Sequence, residues 1–471
     1  MRKTLITLCL FVFVNNLLIA QFTQIGSEIN GAENNWEAGA SLSFNNTGDV
    51  LAIGYLYTNP FFNNRGMGRV FEFLNGEWIQ KGSDIGNQIA DNKGYHVNIN
   101  GTGTILAMSP GVNSGGGAGT LVSIYEFVNN DWQLMGNPID IADGIAKLND
   151  LGNTVIISNS WNNELSVYEF LNNDWQLKGD TLISSGPFCG LSADINDIGD
   201  IIAAVEFDGS GGVSYSNINI YNYENNQWNQ IGDISFETYY ILKLNFDLNK
   251  QGDAFVASAL KEDVNDVLYL ETKVYNYINQ VWTQVGNNII NSPTEDPFYI
   301  DSQATISADG NIIAIGNTIE NGSVMLYKLI NNHWVQFDDG VIGDGGEFGR
   351  AVSFNDDASL LSVGAPTYSE VGNYFGQVKT FEIDYALLNM EDNSIANTIF
   401  IYPNPAHDYI TLNSQNDISI NTIKIYDALG RLVLMKNNPQ NLINISTLTN
   451  GLLIVKIETD KGIKVEKVIK Q

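Results

Sequence analysis

Few residues in this chain of 471 have the types and spacing that chemistry needs. Its three histidines, His96, His333 and His407, are far apart in sequence. Zinc sites draw several His or Cys ligands together, and no such cluster stands here. A Ser-His-Asp arrangement would have to use His96, and no nucleophile-elbow motif accompanies it. The two cysteines are Cys9 and Cys189. Cys9 lies in an apolar leader, so a lone Cys189 remains, and it reads as a small buried hydrophobe. Gly115-Gly116-Gly117 is glycine-rich but lacks the Lys-Ser/Thr and helix of a phosphate loop.

Acids and aromatics are what remain. Paired carboxylates hydrolyse glycosides, but with 53 Asp and Glu, closeness in sequence decides nothing. Glu72, Glu126 and Glu169 each stand between two aromatics on an alternating strand and are expected to face solvent. No catalytic residue, metal site or cofactor is expected. A set of aromatics falls outside the repeating pattern described next: Trp36, Trp161, Tyr55, Tyr57, Phe61, Tyr240, Tyr299 and Phe348. Exposed on one face, such side chains suit a sugar chain or a protein loop. They are the expected ligand-binding residues.

The net charge is -30, from 23 Lys and Arg against 53 Asp and Glu. That balance excludes nucleic acid, whose affinity comes from cations neutralising phosphates, and anionic membrane surfaces. Residues 1–20 start Met1-Arg2-Lys3, continue apolar and end on Ala20. This is the pattern of an export signal peptide with cleavage before Gln21. No other stretch is apolar enough to span a bilayer.

Residues 21–388 repeat. A Tyr/Phe phrase leads six times to a tryptophan, at Trp78, Trp132, Trp175, Trp228, Trp282 and Trp334. It alternates with a turn of the form Asn45-Asn46-Thr47-Gly48, whose glycine recurs at Gly103, Gly152, Gly199, Gly252 and Gly310, with Ala358 as a seventh copy. Each unit reads as four strands, and no amphipathic helix appears. Seven units of about 52 residues predict an all-β chain with a seven-bladed β-propeller. The seventh unit lacks its Trp-x-Gln strand. Phe22-Thr23-Gln24-Ile25-Gly26 matches that strand and is expected to close the last blade. The turns offer one or two carboxylates where calcium needs about six oxygens, so they read as hydrogen-bonded Asn/Gly turns.

At Gly346-Glu347-Phe348-Gly349-Arg350 and Leu361-Ser362-Val363-Gly364-Ala365-Pro366 the units resemble FG-GAP repeats of integrin-α-type propellers. In that family some blades carry a calcium loop. Here the matching turns lack its full set of acids.

Composition changes near residue 389. Residues 399–471 hold 8 Lys/Arg against 6 Asp/Glu, a net of +2, while residues 21–398 hold 13 against 47, a net of -34. A polar linker is expected at 389–398. Short strands in the last 73 residues predict a small β-sandwich. This segment resembles the type A C-terminal sorting domain of the type IX secretion system. The resemblance is carried by Tyr402-Pro403-Asn404-Pro405, by Asp427-Ala428-Leu429-Gly430-Arg431, by Gly451 and by the basic end around Lys467. It implies an address read by the secretion machinery, with the cargo released or held at the cell surface. Leu453 stands where relatives commonly have Tyr.

The expected function is non-catalytic binding or adhesion outside the cell, toward a protein or glycan. The alternatives are a glycan-acting hydrolase using Asp/Glu and a structural surface protein.

Overall fold

A computed structural model describes residues 21–31, 36–57, 65–86, 96–110, 121–140, 144–159, 162–184, 192–208, 214–238, 244–262, 267–294, 303–336, 340–370, 373–385, 399–414, 419–427, 431–437, 439–459 and 462–471. The leader, Cys189 and the linker at 389–398 lie outside the described residues. All regular structure among the described residues is β. The chain divides into two compact units, Met1–Tyr385 and Ala386–Gln471.

The first unit contains, among its described residues, seven antiparallel sheets of four principal strands each. The first sheet runs Trp36–Phe44, Val50–Tyr57, Arg65–Leu74 and Glu77–Gln80, each strand pairing with the next. The second to sixth sheets repeat this order, starting at His96, Ala146, Ala193, Leu244 and Ala304. The seventh takes Ala351–Phe354, Leu360–Ala365 and Gln377–Asp384 from the end of the unit and Gln21–Gln24 from its beginning. Gln21–Gln24 runs antiparallel to Gln377–Asp384, with Phe22 opposite Ile383 and Gln24 opposite Phe381.

Local chemistry explains each repeat. The first strand ends in a turn whose leading Asn is buried. In the first sheet the Asn45 Oδ1 accepts the N–H of Val50 at 2.9 Å, and the same bond recurs from Asn100, Asn149, Asn196, Asn249 and Asn355. Three residues on, the backbone turns left-handed, at φ 75° for Gly48 and 72° for Gly199. Glycine adopts that conformation without a Cβ clash. Ala358 fills it at φ 55° in the seventh copy. The second strand is buried on both faces, as in Leu51, Ala52 and Ile53, all at 0 % exposure. The last two strands meet in tight Asn-Asn or Asn-Gly turns. Asn129 and Asn130 have φ 53° and 63°, the hairpin geometry whose twist suits its strands.

The repeating tryptophans join one sheet to the next. Trp132 Nε1 donates to the Lys81 carbonyl at 2.7 Å, Trp175 to Met135 at 2.8 Å, Trp228 to Lys178 at 2.9 Å and Trp334 to Val285 at 2.9 Å. Each indole lies over a glycine of the preceding unit. A Cβ on Gly82 would stand 2.7 Å from Trp132. Trp78 uses the N-terminal segment in the same way. A Cβ on Gly26 would stand 2.9 Å from its ring. Its Nε1 donates to Thr380 Oγ1 at 2.8 Å, and Thr380 Oγ1 donates in turn to the Ile25 carbonyl at 2.8 Å.

The second unit, taken by itself, packs a three-stranded sheet (Ile399–Tyr402, Tyr409–Ser414, Leu442–Asn444) with a four-stranded one (Leu432–Asn437, Ile420–Asp427, Gly451–Thr459, Gly462–Lys470). Ile399, Ile410, Leu412 and Ile443 from the first meet Ile423, Ile425, Val455, Ile457 and Val468 from the second in one core. The layering is that of a β-sandwich. Leu453 is buried in this core.

Candidate functional site

Two columns of the repeat converge on one cavity. Two residues before each turn's leading residue stand Ser43, Asn98, Lys147, Asp194, Asp247, Thr305 and Ser353. One residue after it stand Asn46, Gly101, Asp150, Asp197, Lys250, Ala308 and Asp356. A cavity of about 140 Å³ is lined by members of both columns from all seven sheets.

The first column is tied sheet to sheet by backbone donors. Ser43 Oγ accepts from Ile99 N at 3.1 Å, Asn98 Oδ1 from Leu148 N at 2.7 Å, Asp194 Oδ2 from Leu248 N at 3.0 Å and Asp247 Oδ2 from Ile306 N at 3.0 Å. Ser353 Oγ accepts from Phe44 N at 3.1 Å and so links the seventh sheet to the first. The second column is tied by its own backbone. Asn46 N donates to Gly101 O, Gly101 N to Asp150 O, Asp150 N to Asp197 O and Asp197 N to Lys250 O, at 2.9–3.2 Å. Ala308 N donates to Asp356 O at 3.0 Å, and Asp356 N to Asn46 O at 3.1 Å.

Each column holds one lysine among carboxylates. Lys147 Nζ lies 2.8 Å from Asp194 and 3.3 Å from Asp247. Thr305 Oγ1 donates to Asp247 at 2.8 Å. Lys250 Nζ lies 3.2 Å from Asp150, 3.5 Å from Asp197 and 3.2 Å from Asp356, and donates to Asn46 Oδ1. Burial works against the charge on Lys147, but Asp194 and Asp247 outweigh it and hold the ammonium above its ordinary range. Asp194 is pushed up too, first by burial and then by Asp247. Two acids there share one base. Around Lys250 the excess is larger. Burial, with Asp150 and Asp356 beside it, pushes Asp197 up to about 6 against the pull of Lys250. Burial raises Asp356 in the same direction.

This arrangement fits structural charge pairing. A hydrolase needs one carboxyl free to give a proton and another free to meet water or the sugar. Here the five central acids face lysines. The cavity is also smaller than the ~300–1,000 Å³ of ordinary ligand pockets. Among the described residues no group of three or more His, Cys, Asp and Glu is arranged to hold a metal ion.

The aromatic set meets a different fate. Tyr55 is 0 % exposed, Phe348 2 % and Trp36 9 %. An open platform made of these three is therefore corrected. The second strand runs on to Tyr57, so Tyr55 lies inside it, packed with Trp36, Ile29 and Met67. Burial pushes the Tyr55 phenol up to about 12. Phe348 packs against the backbone at Gly322 and Gly343. Trp161, Phe61, Tyr240 and Tyr299, and the side chain of Tyr57, lie outside the described residues. His333 is exposed at the start of its strand, beside the turn. The central lysine–aspartate pairs escaped the sequence reading, although the turn alignment itself exposes two charged columns in an otherwise small, polar position.

In the second unit, the motif residues cluster at one end of the four-stranded sheet. Asn404 Nδ2 donates to the Lys467 carbonyl at 2.8 Å, and Asn404 Oδ1 accepts from Ile469 N at 2.9 Å. Ala406 N donates to Ile469 O at 2.8 Å, and Gln471 N to Ala406 O at 2.8 Å. The Pro403-Asn404-Pro405 loop therefore clamps the C-terminal strand. Tyr402, Pro403, Pro405, Arg431, Gly451 and Lys467 are exposed around it. Asp427 pairs with Leu453 at the end of its strand, and Gly430 lies outside the described residues.

Residues 400–471 match the family model described as "Secretion system C-terminal sorting domain". The C-terminal unit thus carries a sorting domain, which makes this a protein addressed for secretion or the outer cell surface. Among solved structures, the chain is similar to a putative 6-phosphogluconolactonase from Bacteroides fragilis (11 % identity, 66 % of this chain and 85 % of that one, TM-score 0.45). It is also similar to Sqt1 from Chaetomium thermophilum (11 % identity, 96 % and 99 %, TM-score 0.48). No curated protein matches the chain by sequence.

Proposed function

We propose that this is an exported, non-catalytic binding protein of the cell surface or medium. Residues 1–20 act as a signal peptide, the repeating unit is a closed seven-bladed propeller of FG-GAP character, and residues 399–471 pass it to the type IX machinery. The sorting-domain match carries the reading. Closure is supported by the Phe44–Ser353 bond and by the pairing of Gln21–Gln24 with Gln377–Asp384. The absence of enzymatic function is supported by the lysine pairing of the central acids and the small cavity. A protein or glycan ligand would then be taken on the loop surface rather than in the channel. Two measurements test this. Deleting 399–471 should leave the chain inside the cell. Glycan and protein arrays with the mature chain should give a ligand without turnover; hydrolysis of a polysaccharide, lost in Asp197→Asn or Asp247→Asn, would establish an enzyme instead.

A further inference from the structure

Eight residues after each turn's leading residue, the second strand carries Ile53, Met108, Ile157, Ile315 or Val363 in five sheets, but Ala204 in the fourth and Ala257 in the fifth. In the fifth sheet the lost volume is refilled. Phe236, from the outer strand of the fourth sheet, shares one buried core with Ile218, Ala257 and Ala259, and its ring meets Tyr275 edge-on at 6.0 Å. In the fourth sheet no such ring arrives, because Ser184 of the third sheet stands at the position of Phe236. Phe236 is opposite Ser216, and Ser184 N donates to the Asn163 carbonyl at 3.0 Å. Ser216 and Asn163 each lie five residues before the tyrosine of their strand, Tyr221 and Tyr168. A cavity of about 220 Å³ is left there, lined by Leu165, Leu182, Ala204 and Tyr221 among others. These four are the counterparts of Ile218, Ile234, Ala257 and Tyr275 around Phe236.

The cavity has the size and the walls for one ring. An engineered apolar cavity of about 150 Å³ holds benzene, while pockets for larger ligands run to ~300–1,000 Å³. Tyr221 stands where Tyr275 meets Phe236, so an aromatic guest finds the neighbour that suits a ring edge or face. One side of the cavity is polar. Ser184 Oγ donates to Glu206, and Asn219 Nδ2 donates to Glu206 Oε2 at 2.6 Å. Asn219 is only 8 % exposed, and its Oδ1 accepts from Gln230 Nε2 at 3.0 Å. At the matching positions the fifth sheet has Ala259 and Lys273, with the Lys273 ammonium 6.0 Å from the centre of the Phe236 ring. The fourth sheet thus sets a carboxylate and an amide where the fifth has a methyl group and a cation. An ionised carboxylate accepts hydrogen bonds and donates none. A ring that brings a hydroxyl donor therefore suits both walls.

We propose that the cavity between the third and fourth sheets binds the ring of a phenol. It shares no lining residue with the central cavity, and it goes beyond the export and adhesion reading without resting on it. The test titrates the mature chain with p-cresol by calorimetry, with toluene as the ring that lacks a donor. One equivalent of p-cresol should bind, at least fivefold tighter than toluene. Ser184→Phe supplies the ring that Phe236 supplies at the next interface, and Ala204→Ile restores the residue of the third and sixth sheets. Each should weaken p-cresol binding at least tenfold. Melting curves show which of the two variants is folded, and either one gives the reading. No binding by the wild-type chain, or unchanged binding in a folded filled variant, overturns the site. Toluene bound as tightly as p-cresol overturns the phenol and removes Glu206 from recognition. Binding of N-acetyltyrosinamide as well as p-cresol makes the guest a tyrosine side chain of a peptide; binding of p-cresol alone makes it a free phenol, and both support the site.

Discussion

The hydroxyl of Ser353, in the seventh sheet, accepts the backbone N–H of Phe44, in the first, across 309 residues of chain. Ser353 is the equivalent of Ser43 in its repeat, and Phe44 is the equivalent of Ile99. The bond between Ser353 and Phe44 is the same bond that links the first sheet to the second through Ser43 and Ile99.

The N-terminal strand should be essential to the seventh sheet, where it pairs with Gln377–Asp384. It supplies Gly26 under Trp78, the Ile25 carbonyl to Thr380, and Ile29 to the core. Deleting residues 22–29 should lower the melting temperature by about 5–10 °C, given that ~1 kcal/mol moves a large domain a few degrees at most. Calorimetry checks this, and an unchanged melt would refute it.

Lys147 is the only cation facing Asp194 and Asp247 among the described central residues. Lys147→Met would leave two carboxylates buried without it. A loss of about 2–4 kcal/mol is expected at pH 7, below the full cost of a broken buried pair because Lys147 keeps 28 % of its side chain exposed. Adding Asp194→Asn should recover part of that loss. Urea melts of the single and double variants measure the coupling.

Asp197 should make stability depend on pH. Its pKa rises in the fold to about 6 from an ordinary 3.8. A raised acid favours the fold when protonated, so its contribution is full below about 4 and is lost as pH climbs through 6. Asp197→Asn removes that titration. The variant should melt with the wild type at pH 4 and above it at pH 7.5, by about 1 kcal/mol once solvent screening of a one-third-exposed group is allowed for. A gap that is constant across this range would count against the assignment.

Gly82 lies under Trp132 with φ 79°. Gly82→Ala meets both a left-handed backbone and a ring carbon at 2.7 Å. It should cost on the order of 2 kcal/mol, whereas Gly76→Ala, whose Cβ meets nothing within 4 Å, should cost only its backbone share. Denaturant melts of the two variants separate the terms.

Asn404 joins two distant pieces of the sorting signature by bonding both sides of its amide to the C-terminal strand. Asn404→Ala should cost roughly 1–3 kcal/mol in the second unit and speed amide exchange at Ile469. Hydrogen exchange followed by mass spectrometry on peptides from 462–471 reads this directly.

Much of the architecture was legible because repeats write structure in period. The Trp-x-Gln-x-Gly phrase recurs because each indole needs a bare backbone to lie on. The Asn-x-x-Gly turn recurs because its amide bonds and its left-handed step need those two residues. Phe22 to Gly26 could be recognised as a displaced strand for the same reason. The burial of Tyr55 was not legible because a loop and a strand extension look alike in sequence: the second strand runs past Gly54 to Tyr57 and holds Tyr55 inside it.

The sequence by itself determined the all-β class, the repeating unit, the acidic body and the basic sorting module, since each is a property of local pattern or of composition. Only the tertiary structure decided what the charges in the turns are for. Lys147, Asp194 and Asp247 come from the third, fourth and fifth sheets, and Lys250 of the fifth meets carboxylates from the third, fourth and seventh. Ion pairing depends on distances of 3–4 Å between groups about 50 to 100 residues apart, and no periodicity along one chain encodes which of 53 acids a given lysine will meet.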